Sequence, residues 1–130
     1  VADALAHDGW EAVSDPSPDL LVVVAEATDP VAFGKLSDWR WRAILDARFR
    51  RAVDACIAAL PGMRARGGGC VALIVVDAGE DAGAHVAAAD GALEGFTKAL
   101  ASEVAPDQVR VNLIHVAAGD AGSAAETIRY

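Results

Sequence analysis

Two uninterrupted apolar runs, Leu20 to Ala25 (LLVVVA) and Val71 to Val76 (VALIVV), with a third, partly polar strand segment, Val109 to Val116 (VRVNLIHV), constrain this chain more than any other feature. The first two do not alternate apolar with polar residues. Runs of that length suit strands covered on both faces, as in a parallel sheet. Parallel strands need long crossovers, and the intervening segments have helical length. Ser37 or Asp38 is a suitable cap for a helix from about Trp39 to Leu60, because a short polar side chain there satisfies an open backbone N–H. Pro61-Gly62 marks the neighbourhood of its end, and Gly67-Gly68-Gly69 reads as a loop. A further helix runs from about His85 to Val104 and stops before Pro106, whose ring disfavours helical backbone in the residue before it. Strands separated by helices in this order imply a parallel α/β sheet with right-handed crossovers.

The ends of the chain speak less clearly. Val1 to His7 reads as the end of a helix closed at Asp8-Gly9, with Gly9 as C-cap. Trp10 to Val13 suits a short strand, and Ser14 to Asp19 carries turn chemistry. Ala117 to Tyr130 is small and polar, with no strong signal, and no internal repeat is present. A length of 130 residues points to one domain over 1–130.

Composition excludes several classes of function. With 54% hydrophobic residues the chain is globular rather than disordered. A net charge of −8 argues against nucleic acid, since phosphate binding needs clustered cations. The apolar run Leu20 to Ala25 is too short to span a bilayer. No basic segment leads into an apolar stretch at the start, so a cytoplasmic location is expected. Cys56 and Cys70 are expected to be reduced and buried. No His, Cys or carboxylate spacing resembles a metal site. His7 and His115 read as structural groups, and Trp10, Trp39 and Trp41 as packing or interface anchors.

The segment Val86 to Val104 is unusual among helices. Asp90, Glu94 and Lys98 fall four apart on one stripe, with Glu94 and Lys98 ordered for an ion pair. Most of the remaining circumference is small or apolar: Ala87, Ala88, Ala89, Gly91, Ala92, Phe96, Ala99 and Leu100. Such a helix is expected to be covered on more than one side, by its own sheet and by a neighbour.

Three segments together resemble the second half of the short-chain dehydrogenase/reductases. Asp19 to Ala25 resembles the strand leading into that family's Asn-Asn-Ala-Gly motif. Leu36 to Gly69 is similar to its long helix, with Trp41, Leu45 and Asp46 at matching spacing and a Leu-Pro-x-Met and triple-Gly ending. Gly91 to Asn112 (GALEGFTKALASEVAPDQVRVN) is very similar to the segment that follows the family's catalytic Lys, and is the most specific of the three. The resemblance implies a partial Rossmann-like α/β fold: three or four mostly parallel strands with flanking helices, the fourth being Trp10 to Val13.

The same resemblance implies that the catalytic groups have been replaced. Val23, Val24, Ala25 and Glu26 stand where the family has Asn-Asn-Ala-Gly. Arg48 stands for the helix Asn that orders a proton-relay water, Asp90 for the catalytic Lys, Val86 for the catalytic Tyr and Val76 near the catalytic Ser. The Pro-Gly pair after the third strand becomes Ala118-Gly119. Hydride transfer in the family uses a Tyr hydroxyl whose pKa is lowered by a neighbouring Lys. Val86 has no proton to give, and Asp90 inverts the charge. No Thr-Gly-x-x-x-Gly-x-Gly loop precedes Asp19 to receive a nucleotide, and the chain is too short for the strands that would carry it. The stretch Val71 to His85 (VALIVVDAGEDAGAH) imitates such a loop, but His85 occupies its last glycine position and Glu80 and Asp81 would repel a phosphate.

What the resemblance retains is the pair of long helices, which in the family form a large subunit interface. The expected interface residues here are Phe49, Ala52, Val53, Cys56, Ala88, Ala92, Phe96, Ala99 and Leu100. The leading expectation is therefore a pseudoenzyme subunit. It binds no cofactor itself and pairs with a full-length NAD(P)-dependent member in a hetero-oligomeric oxidoreductase. Two alternatives remain open at this stage. One is a repurposed enzyme with non-redox acid–base chemistry at Arg48, His85, Asp90 and Asp77, although His85 and Asp90 lie five apart and point in different directions. The other is a homo-oligomeric scaffold or binding protein.

Overall fold

The computed structural model describes residues 18–25, 31–77, 79 and 82–117. The expected helix end, strand and turn over 1–17 and the tail from Ala118 lie outside these residues, as does Glu26. Three strands form one sheet in the order β1 (Leu20–Ala25), β2 (Gly69–Val76), β3 (Val109–Val116). Both pairings are parallel, with Leu20 opposite Cys70 and Gly69 opposite Val109. All three segments are strands, and β2 starts two residues earlier than its apolar run suggests.

The strands differ in cover as their positions require. Central β2 is buried continuously from Val71 to Val75, as a two-sided strand must be. In β3, an edge of the described sheet, Arg110, Asn112 and His115 are exposed while Val109, Val111 and Val116 are buried.

Two long helical segments connect the strands. The first comprises α1 (Asp38–Leu45), a π turn (Asp46–Arg50) and α2 (Arg51–Arg66), running on without a break. The second is α3 (Ala84–Val104), closed by a short 3-10 turn at Ala105–Asp107. Odd-numbered sheet residues and both helices share one core: Val71, Leu73, Val75, Val109 and Val111 pack with Ala52, Cys56, Met63, Leu93 and Val104. Both helices therefore lie on the same face of the sheet. On the other face a second cluster joins Ile74 and Val116 with Val22, Val24 and Ile114, all strand residues.

The first helix overruns the expected end at Leu60. Pro61 lies inside it, at an exposed position. A proline removes one hydrogen bond to the preceding turn, and at an exposed site water can serve the orphaned carbonyl. Beyond it Met63, fully buried, anchors the last turn. Gly67 then ends the helix at φ 79°, and the amides of Gly67 and Gly68 donate to the carbonyls of Arg64 and Met63 at 3.0 Å each. This is a Schellman closure, and its left-handed residue favours glycine. Ser37 does occupy the N-cap position, but its side chain makes no capping bond. Its carbonyl accepts from the Trp41 amide at 2.9 Å instead.

Candidate functional site

The positions that the resemblance assigned to catalysis converge at the carboxyl end of β2, where α/β folds ordinarily bind ligands. The π turn brings Arg48 inward, and its side chain is fully buried. Its Nε donates to Asp90 Oδ1 of α3 at 2.8 Å, and Nη2 lies 2.7 Å from the same oxygen. Nη2 also donates to the Val76 carbonyl at 3.3 Å. One guanidinium thus joins the long helix, the end of β2 and α3. Val86, one turn before Asp90, is 1% exposed and belongs to the interior.

This arrangement has definite chemical consequences. Asp90 is committed to an ion pair with the fully buried guanidinium of Arg48. Val86 offers no hydroxyl. A valine and a paired carboxylate thus stand at the positions where the resemblance assigns the family's hydroxyl and ammonium.

Among the described residues no hydrogen bond or ion pair joins this pair to the side chains of His85 or Asp77. Asp77 faces His115 Nδ1 at 3.4 Å, on the surface. His115 Nε2 lies 3.8 Å from Glu94, which faces it rather than the expected Lys98. His85 is 1% exposed, and neither ring nitrogen has a hydrogen-bond partner among the described residues. Its ring stands against Gly83, where a Cβ would lie 2.7 Å from Nδ1 and 3.0 Å from the Val31 carbonyl. An unsatisfied buried polar group costs about 1–3 kcal/mol, so this ring is an internal expense. Among the described residues no group of three His, Cys, Asp or Glu residues has the geometry of a metal site.

The expected interface residues divide into two sets. Ala52, Cys56 and Leu100 are buried in the chain's own core. Their helical spacing places them on the stripe facing the sheet, a distinction that the apolar character of both sides concealed. Phe49 and Phe96 are partly buried and meet edge-to-face at 5.9 Å between centroids, joining the two helices. Val53 and Ala92 are half-buried, while Ala88 and Ala99 are exposed.

Two further surface features bear on the helices, and of their residues only Gly91 is singled out from the sequence. Ile57 of α2 is 65% exposed. Gly91 and Gly95 lie exposed on α3, and a Cβ at either would meet nothing within 4 Å. Interior helical glycines cost about 0.5–1 kcal/mol relative to alanine, and no contact among the described residues accounts for them. Their four-residue spacing was the available signal.

A parallel sheet with two helices on one face, and strand ends carrying the site positions, defines a Rossmann-type α/β unit. The chain belongs to the short chain dehydrogenase family, whose model matches residues 12–128. It is 30% identical over 101 residues to an uncharacterized short-chain type dehydrogenase/reductase of Sinorhizobium fredii (strain NBRC 101917 / NGR234), covering 74% of this chain and 40% of that protein. Among solved structures, a short-chain dehydrogenase from Streptomyces avermitilis superposes with a TM-score of 0.72 at 26% identity, covering 98% of this chain and 58% of that one. L-Sorbose reductase from Gluconobacter frateurii, complexed with NADPH and L-sorbose, gives 0.70 at 30% identity, covering 78% and 40%. The chain therefore spans 40% to 58% of the length of these relatives. None of the described helices is long and apolar enough to cross a membrane.

Proposed function

We propose that this chain is a non-catalytic subunit, associating through its two long helices with an active NAD(P)-dependent member of the same family. The observation that carries the reading is the Arg48–Asp90 pair. It occupies the positions assigned to the family's helix Asn and catalytic Lys, with the guanidinium fully buried and the carboxylate part-buried. A carboxylate holding a buried guanidinium cannot lower the pKa of a neighbouring hydroxyl, and Val86 supplies no hydroxyl to be lowered. Cofactor and hydride chemistry then reside in the partner.

Exposed Gly91 and Gly95, flanked by Ala88 and Ala99, support the association half of the reading. Small residues permit close approach of another helix, and Ile57 adds apolar area on α2. The test is co-expression with a full-length short-chain dehydrogenase from the same genome, followed by size-exclusion chromatography with mass determination and a nicotinamide-dependent assay. A mixed oligomer whose activity needs the partner's Tyr and survives Val86→Ala in this chain supports the proposal. A chain that ignores every such partner but self-associates moves the reading to a homo-oligomeric scaffold.

A further inference from the structure

We infer that the Arg48–Asp90 pair latches the π turn and thereby sets the rotation of α1 relative to α2. A π turn carries one residue more than regular helical winding accommodates, and such turns are rare, occurring mostly as single bulges inside α-helices. Here the turn spans Asp46–Arg50, and Arg48 stands at its centre. Arg48 is gripped from outside the helix by Asp90 at 2.7 Å and by the Val76 carbonyl at 3.3 Å. Rewinding the turn as regular α-helix would rotate everything before it by about 100°, the angle per residue of an α-helix.

The two flanking segments resist such a rotation very unequally. α2 buries Ala52, Cys56, Ala59, Leu60 and Met63, so it cannot turn without dismantling the core. α1 buries Ile44 alone, and Trp39 on it is 70% exposed. Its ion pair among the described residues is internal: Arg42 bonds Asp38 within the same helix at 3.0 Å, both exposed. Release of Arg48 therefore frees α1 rather than α2. The face that α1 shows to solvent, with Trp39 at its centre, depends on an ion pair beneath it. This inference concerns the chain alone and stands whether or not the partner reading holds.

The test uses Trp39 and Trp41 as reporters in a Trp10→Phe background, read by emission maximum and acrylamide quenching. Hydrogen exchange over 38–50 and 51–66 is followed in parallel. Asp90→Asn breaks the latch. Arg48→Met with Asp90→Leu removes it while filling its space, guarding against simple unfolding. Both are expected to shift the tryptophan signals and to loosen 38–50, while 51–66 stays protected. Deleting Ala47, which is exposed, removes the surplus residue, so a regular helix then presents α1 in its original rotation. That deletion added to Asp90→Asn is expected to return the tryptophan signals to the starting values. Loss of stability with unshifted tryptophan signals in the double variant overturns the inference, as does failure of the deletion to restore them.

Discussion

Burying a guanidinium costs more than one carboxylate returns, unless its remaining N–H groups also find acceptors. Arg48 meets that condition only partly through Asp90 and therefore draws on the Val76 carbonyl. Removing the carboxylate breaks this ion pair, so Asp90→Ala is expected to lower unfolding free energy in urea denaturation, by no more than the roughly 3–5 kcal/mol of a fully buried pair. Replacing both partners, with Arg48→Met and Asp90→Leu, should recover most of that loss. Burial also acts on Cys56, pushing its thiol up to about 11 from the ordinary 9.0. A raised thiol pKa means that the native state binds its proton more tightly than the unfolded state. The associated stability is complete below pH 9.0 and is lost as pH rises through about 11. Denaturation midpoints should fall over that interval, and less steeply in Cys56→Ala. At neutral pH a thiol reagent should modify half-buried Cys70 before Cys56.

At the scale of elements, the glycines separate two roles that sequence alone merges. Gly67→Ala forces a side chain into the left-handed region at φ 79°, so it should destabilise by about 1–2 kcal/mol. Gly91→Ala and Gly95→Ala do the reverse. Each should raise the stability of the isolated chain by about 0.5–1 kcal/mol, because open space awaits the methyl group. If that surface receives another helix, the same substitutions weaken association, measurable as a higher dissociation constant by analytical ultracentrifugation. The strands and α3 were legible because hydrophobic period and length agree there. Pro61 and Gly62 misled the reading of α2, since an exposed proline removes a single hydrogen bond while buried Met63 holds the turn beyond it. The π turn had no local signal, because its cause is a long-range contact of Arg48 with α3 and β2.

For the molecule as a whole, the family was legible in the Gly91 to Asn112 segment, and the fold follows from it. Replacement of the site positions was legible one residue at a time. That two of the replacements, Arg48 and Asp90, compensate each other was not, since 42 residues separate them in sequence. Nor was the inward stripe of Ala52, Cys56 and Leu100, because small and apolar residues occupy both sides of these helices. The central claim is that the chain associates with a catalytic relative without itself performing chemistry. It is tested most directly by measuring nicotinamide-dependent activity of the co-purified oligomer with the catalytic Tyr of the partner replaced by Phe. The account predicts a mixed oligomer of unchanged mass with no remaining turnover. Turnover that persists without that Tyr and disappears with Asp90→Asn in this chain would contradict it.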